Sequence, residues 1–205
     1  MTFRRAIPWA IAAAALVAGT VLALAAFHPR EVKFDALDVT GADWGKDFHL
    51  TGHDGKARSL ADFRGKVVAI YFGYTNCPDM CPMAMAKLGE AVRSLGDDGK
   101  EVQGLFVTVD PKRDTPQVLA QYVPSFYPTF VGLYGSEEAI ARTAKEFKVF
   151  FSAQPPNEHG NYTVDHSGYI LVFDPAGRLR LFVRPEATAE SIAHDMRLLL
   201  EQSRS

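Results

Sequence analysis

The sequence predicts an α/β fold, a mixed central sheet flanked by helices, preceded by one N-terminal transmembrane helix. Three observations predict it. Residues Ile7 to Phe27 carry no charge and supply about the 20 residues a helix needs to cross a bilayer. Beyond them, short apolar runs alternate with segments whose apolar residues recur at helical spacing, the pattern of a sheet covered on both faces. One of those runs, Val67 to Phe72, leads straight into the only two cysteines of the chain and then into a helix.

The apolar N-terminal run is preceded by Arg4 and Arg5. Positive charge stays on the cytoplasmic side, so residues 1–6 are expected in the cytoplasm, 7–27 as the anchor and the remainder across the membrane. Trp9 suits the headgroup level. Ala23-Leu24-Ala25 also offers a small-x-small cleavage site, but the run is longer than a signal-peptide core, which favours a retained anchor. Either reading exports the domain. With no third cysteine, a lipidated cysteine is excluded. Residues 28–43 read as a linker and 44–205 as one domain; 205 residues suffice for one packed domain plus an appendage.

Within that domain, Phe48 to Ser59 reads as a hairpin around the turn dipeptide Asp54-Gly55. Val67 to Phe72 is a continuous apolar run, as in a strand buried on both faces. Met83, Ala84, Leu88, Ala91, Val92 and Leu95 lie at helical spacing, with Gly96 placed to end the helix. Val102 to Val109 is a second apolar strand, and Gln117 to Ser125 a short helix. Ser136 caps a helix to about Phe147, with Glu137 and Glu138 favourable to its dipole. Gln154 to Asn161 is a polar, Pro-containing loop. Tyr169 to Phe173 and Leu179 to Val183 are strands joined at Asp174-Pro175-Ala176-Gly177, and Thr188 caps a final helix to about Glu201.

A net charge of -2 gives no electrostatic reason for nucleic-acid binding. Two cysteines four positions apart do not make a disulfide scaffold; they point to redox chemistry or a metal. The segment is Tyr74-Thr75-Asn76-Cys77-Pro78-Asp79-Met80-Cys81-Pro82, at the end of a buried strand and the start of a helix. That junction is the thioredoxin-type arrangement, with one more residue between the cysteines. Helix N-terminal amides there are expected to lower both thiol pKa values. A structural disulfide closing so short a loop would stabilise little. Two thiolates plus an imidazole would make a soft site suited to Cu(I), or to Zn. The chain has six histidines, His28, His49, His53, His159, His166 and His194, and spacing alone brings none of them to the cysteines.

The stretches FGYTNCPDMCP, VTVDPKRDTP and YTVDHSGYILVFDPAG resemble three signatures of the Sco/SenC family of copper proteins, which assist cytochrome c oxidase assembly. The resemblance runs from the anchor to about Leu200. It implies a thioredoxin-like fold and a copper ion, Cu(I) or Cu(II), held by Cys77, Cys81 and the histidine of the third signature, which is His166 here. It further implies supporting roles for Asp165, Asp79 and Asp114, although in Asp110 to Pro116 a well-made loop with a helix cap is the main role expected. Met83 is expected in the core, with Met80 and Met85 partly exposed. Where thioredoxins hold a cis-proline, this chain carries Thr163-Val164-Asp165-His166.

The leading reading is a copper metallochaperone for the copper-A centre. Its partners would be cytochrome c oxidase subunit II and a periplasmic copper donor protein. The chain would be a single-pass protein of the inner (cytoplasmic) membrane with its C-terminal domain in the periplasm; the mitochondrial inner membrane is the lesser alternative. Delivery is not turnover, so an enzyme is not the expectation. A thiol-disulfide oxidoreductase using Cys77 and Cys81 on the copper-A cysteines is the rival. A peroxiredoxin-type peroxidase would want a more distant resolving cysteine, and a structural zinc site a fourth ligand.

Overall fold

The computed structural model describes residues 33–204. The expected cytoplasmic terminus and transmembrane anchor lie outside them. Among the described residues, no helix is long and apolar enough to cross a membrane.

The chain runs β1 (Leu37–Asp38), β2 (Leu50–Gly52), β3 (Ala57–Arg58), β4 (Val67–Gly73), α1 (Met80–Ser94), β5 (Val102–Thr108), α2 (Pro116–Tyr122), β6 (Val131–Tyr134), α3 (Glu137–Glu146), β7 (Phe151–Ala153), β8 (Val164–His166), β9 (Ile170–Phe173), β10 (Leu179–Val183) and α4 (Ala189–Arg204). Eight strands form one sheet in the order β1-β10-β9-β4-β5-β6-β2-β3. β4, β5 and β6 are parallel, while β9 joins β4 antiparallel, so the sheet is mixed as expected. β7 and β8 stand apart as a two-stranded antiparallel pair.

The centre of the sheet follows from composition. Every residue of β4 and β5 is buried, and a fully buried Val, Ile or Phe side chain contributes about 1.5–3 kcal/mol. Strand alternation then sorts the faces. Phe72 and Phe173 meet Phe147 at the end of α3 on one face. Tyr71 and Phe106, paired in register, point to the other, where Phe106 meets Tyr122 of α2. The sulfur of Cys81 in α1 lies against Tyr71 on that same side. Caps form where the side chains allow them: Thr115 accepts from the Val118 amide, Ser136 from Ala139 and Thr188 from Ser191.

Four differences from the sequence-based expectation have physical causes. β6 was not expected; it has four residues and carries Gly132, whose bare backbone lets Leu119 and Val123 of the α2 segment approach. β7 and β8 are three-residue strands with mostly exposed or half-buried residues, and so leave no apolar signature. Leu37 and Asp38, within the segment read as linker, add an edge strand to β10, and the buried Asp195 carboxylate accepts the amides of Asp35 and Ala36. Finally, α1 begins at Met80 rather than Met83. This earlier start places Cys81 inside the helix, and Cys81, Met85, Leu88 and Val92, at i, i+4, i+7 and i+11, share its buried face: Met85 is in the core, while Met80 and Met83 are exposed. The expectation for Met83 and Met85 is thereby reversed.

Candidate metal centre

β4 delivers the cysteine segment. It ends at Gly73, and a Cβ there would lie 2.8 Å from Cys81 Sγ and 2.9 Å from Tyr71 Cε1. Only glycine lets the helix bring its sulfur so close to the strand end. The loop then crosses half-buried Cys77 and enters α1, where Cys81 is fully buried. Both cysteines are free. The Cys81 amide donates to Cys77 Sγ across 3.4 Å, a helix-terminal amide aimed at sulfur.

β8 delivers the imidazole. The donor atoms of Cys77, Cys81 and His166 all lie within 4.8 Å of one another, a group able to hold a metal ion. His166 Nε2 is 3.3 Å from Cys81 Sγ. His166 Nδ1 lies 3.0 Å from the Ser167 carbonyl. A carbonyl only accepts, so Nδ1 carries the hydrogen and Nε2 presents its lone pair to the sulfurs. Burial holds the His166 pKa below its ordinary value, against the opposing Ser167 hydrogen bond and Asp165 charge. The ring is therefore neutral at pH 7, the state in which it ligates. Tyr71 and Tyr74 meet it edge-on, with ring centroids 6.0 and 5.8 Å away.

The expectation that both thiol pKa values fall is overturned at Cys81. Burial pushes its thiol well above the usual range, outweighing the backbone hydrogen bond to Tyr74. Without metal, the Cys81 thiol can donate to His166 Nε2. A soft cation arriving here would take the place of that proton.

The supporting carboxylates divide. Asp114 is buried and accepts from the Thr75 amide, from Thr75 Oγ1 at 2.6 Å and from Thr108 Oγ1 at 2.7 Å, fastening the cysteine segment to the loop after β5. Burial raises its pKa despite these bonds. Asp165 is exposed and accepts from Gln154 within the β7–β8 hairpin. Asp79 stands at the N-cap of α1 without making a side-chain cap. His49, His53, His159 and His194 lie elsewhere, His53 accepting from the Gly132 amide. A second cluster, Asp35, His194 and Asp195, has its buried carboxylate committed to backbone amides. Tyr71, Gly73 and Tyr74 were not singled out from sequence. The alternation of β4 carried the signal, since it puts Tyr71 and Gly73 on the face that meets α1.

Fold and site together define a thioredoxin-like dithiol protein in which a histidine converges on the cysteine pair. The SCO1/SenC family profile matches residues 38–201, and the chain belongs to that family. The mitochondrial SCO2 homolog of Bos taurus is 43% identical over 161 residues, which cover 78% of this chain and 60% of that relative. The chain thus spans about three fifths of the length of such relatives. Bradyrhizobium japonicum ScoI, solved with copper bound, superimposes with a TM-score of 0.69 at 36% identity, covering 75% of this chain and 98% of that one. Sco1 of Thermus thermophilus, solved without metal, gives 0.73 at 36% identity over 84% and 100%.

Proposed function

We propose that this chain is a copper metallochaperone that binds one copper ion through Cys77, Cys81 and His166 and assists assembly of the copper-A centre of cytochrome c oxidase, with subunit II as acceptor. The convergence of two sulfurs and one unprotonated imidazole nitrogen carries the reading. That donor set suits Cu(I) and is wrong for Mg or Ca. Three ligands leave one side of the ion open for exchange. Family membership and the copper-bound ScoI neighbour support the cargo. Residues 7–27 would tether the domain to the inner membrane, with the domain, its edge strand β1 included, in the periplasm.

The chain's own groups account for loading and release. Neutral His166 needs no deprotonation, whereas Cys81 must lose a proton, so loading releases protons and weakens in acid. Oxidation of the pair would remove two ligands, tying cargo to redox state. Thiol-disulfide exchange on the acceptor's cysteines is the second reading, favoured by the accessible Cys77 sulfur beside a buried partner. Copper titration of the reduced full chain tests the first: one tightly bound equivalent is expected, none when oxidised, and a large loss of affinity in His166→Ala. Unchanged affinity in that variant, with disulfide exchange retained, would favour the second.

A further inference from the structure

Resting on the three-donor reading, we propose that Arg113 and Tyr162 are positioning residues for His166: they clasp the β7–β8 hairpin to the same loop that fastens the cysteine segment, and so set the approach of imidazole to sulfur.

The hairpin has little else to hold it. Its strands have three residues each and lie outside the main sheet, and an isolated two-stranded pair is marginal in water. Beneath it lies a largely apolar cleft of about 430 Å³, lined by Ile140, Ala141, Phe151, Pro156, Tyr162 and Val164. Val164 reaches the core, with Phe151 and Tyr162 packed half-buried against it, so dense packing fixes the hairpin's height above the sheet only in part. Specific contacts supply the rest. Tyr162 donates from its hydroxyl to Asp110 Oδ1 at 2.9 Å, and Arg113 Nη1 donates to the Tyr162 carbonyl at 2.8 Å. The guanidinium sits 3.6 Å from the centroid of the Tyr162 ring and 5.5 Å from that of Tyr74, while its Nε pairs with Asp110. Tyr74 in turn packs edge-on to His166 and meets the Val164 backbone.

The loop between β5 and α2 thus braces both halves of the site. Asp114 takes the cysteine side through Thr75, and Asp110 with Arg113 takes the histidine side through Tyr162. Arg113 does this with its Nη2 buried and unpartnered, a poor arrangement for stability alone. The planar fork explains why the position suits arginine better than lysine.

The test uses full-length Arg113→Ala, Arg113→Lys and Tyr162→Phe, each alone and combined with His166→Ala. Amide hydrogen exchange of the metal-free proteins should quicken at residues 164–166 and stay unchanged in β4. Cu(I) affinity, read by competition with a chromogenic chelator, should fall about 10–100-fold in Arg113→Ala, less in Tyr162→Phe, and show no further loss once His166 is alanine. Nitrogen coupling in the Cu(II) electron paramagnetic resonance spectrum should weaken in step. Equal losses with and without His166, or unchanged exchange at 164–166, would overturn the proposal. If His166→Ala alone leaves affinity unchanged, the ligand reading fails, and the exchange measurement still decides the clasp. Arg113→Lys keeps the charge and supplies the folded variant should Arg113→Ala not fold.

Discussion

The two limbs of the site are built in opposite ways. The cysteine limb grows out of the central strand of the main sheet, and β4 is buried along its full length. The histidine limb is a short hairpin outside that sheet, over a cleft, with one residue of β8 buried. The first is placed mainly by hydrophobic packing, with Asp114 holding Thr75, and the second by one core residue, Val164, a few hydrogen bonds and a stacked guanidinium. Substitutions on the cysteine limb should therefore disturb fold and site together, and substitutions on the histidine limb the site alone.

Cys81→Ala gives the largest effect. It removes a donor outright, and copper affinity should fall by more than about 100-fold, beyond the 10–100-fold typical of supporting residues. Chelator competition checks it, and a loss equal to that of Arg113→Ala would break the comparison. Gly73→Ala tests how closely the packed limb is fitted. Its methyl would press on Cys81 Sγ and Tyr71, and overpacking of this kind costs about 1–3 kcal/mol, measurable by urea unfolding of the metal-free protein. Asp114→Ala strips the acceptor from Thr75 and Thr108. Leaving the buried Thr108 hydroxyl unpaired costs about 1–3 kcal/mol, again in urea, with weaker copper binding as the cysteine segment loosens.

The smallest effect is a pH dependence. The folded-state pKa of His166 is depressed by burial, so the unfolded chain binds its proton more readily. The contribution of the neutral ring to stability is present above the unfolded value of about 6.5 and is lost as pH falls through the folded value. Asp114, with its raised folded pKa, acts in the opposite sense: its contribution is present below the unfolded value and is lost as pH rises through the folded one. Urea midpoints of the metal-free protein should decline as pH drops below about 6.5, and His166→Ala should flatten that decline.

The same contrast explains what could be read from sequence. β4, β5, α3 and the β9–β10 turn were legible because long apolar runs, caps and turn dipeptides write local patterns. The cysteine pair was legible because its partners are neighbours in sequence. His166 was not legible from spacing. It stands 85 positions from Cys81, and resemblance alone singled it out. The hairpin that carries it is too short and too polar to show a period. An apolar stripe counted from Met83 leaves out Cys81 and Met85, which share a helix face with Leu88 and Val92, and so puts the wrong methionine in the core. Asp114 was singled out, but its grip on Thr75 was not readable, since the fold alone makes neighbours of residues 39 positions apart.

Cys77 and Cys81 are two copies of one functional group with different access to the surroundings. Whatever approaches from solvent, whether a rival thiolate or a soft ligand on another protein, meets the sulfur of Cys77, because Tyr71 and the helix wall off that of Cys81. Were such a pair to hand over a bound ion, the bond at the doorway would open first and the interior sulfur would let go last.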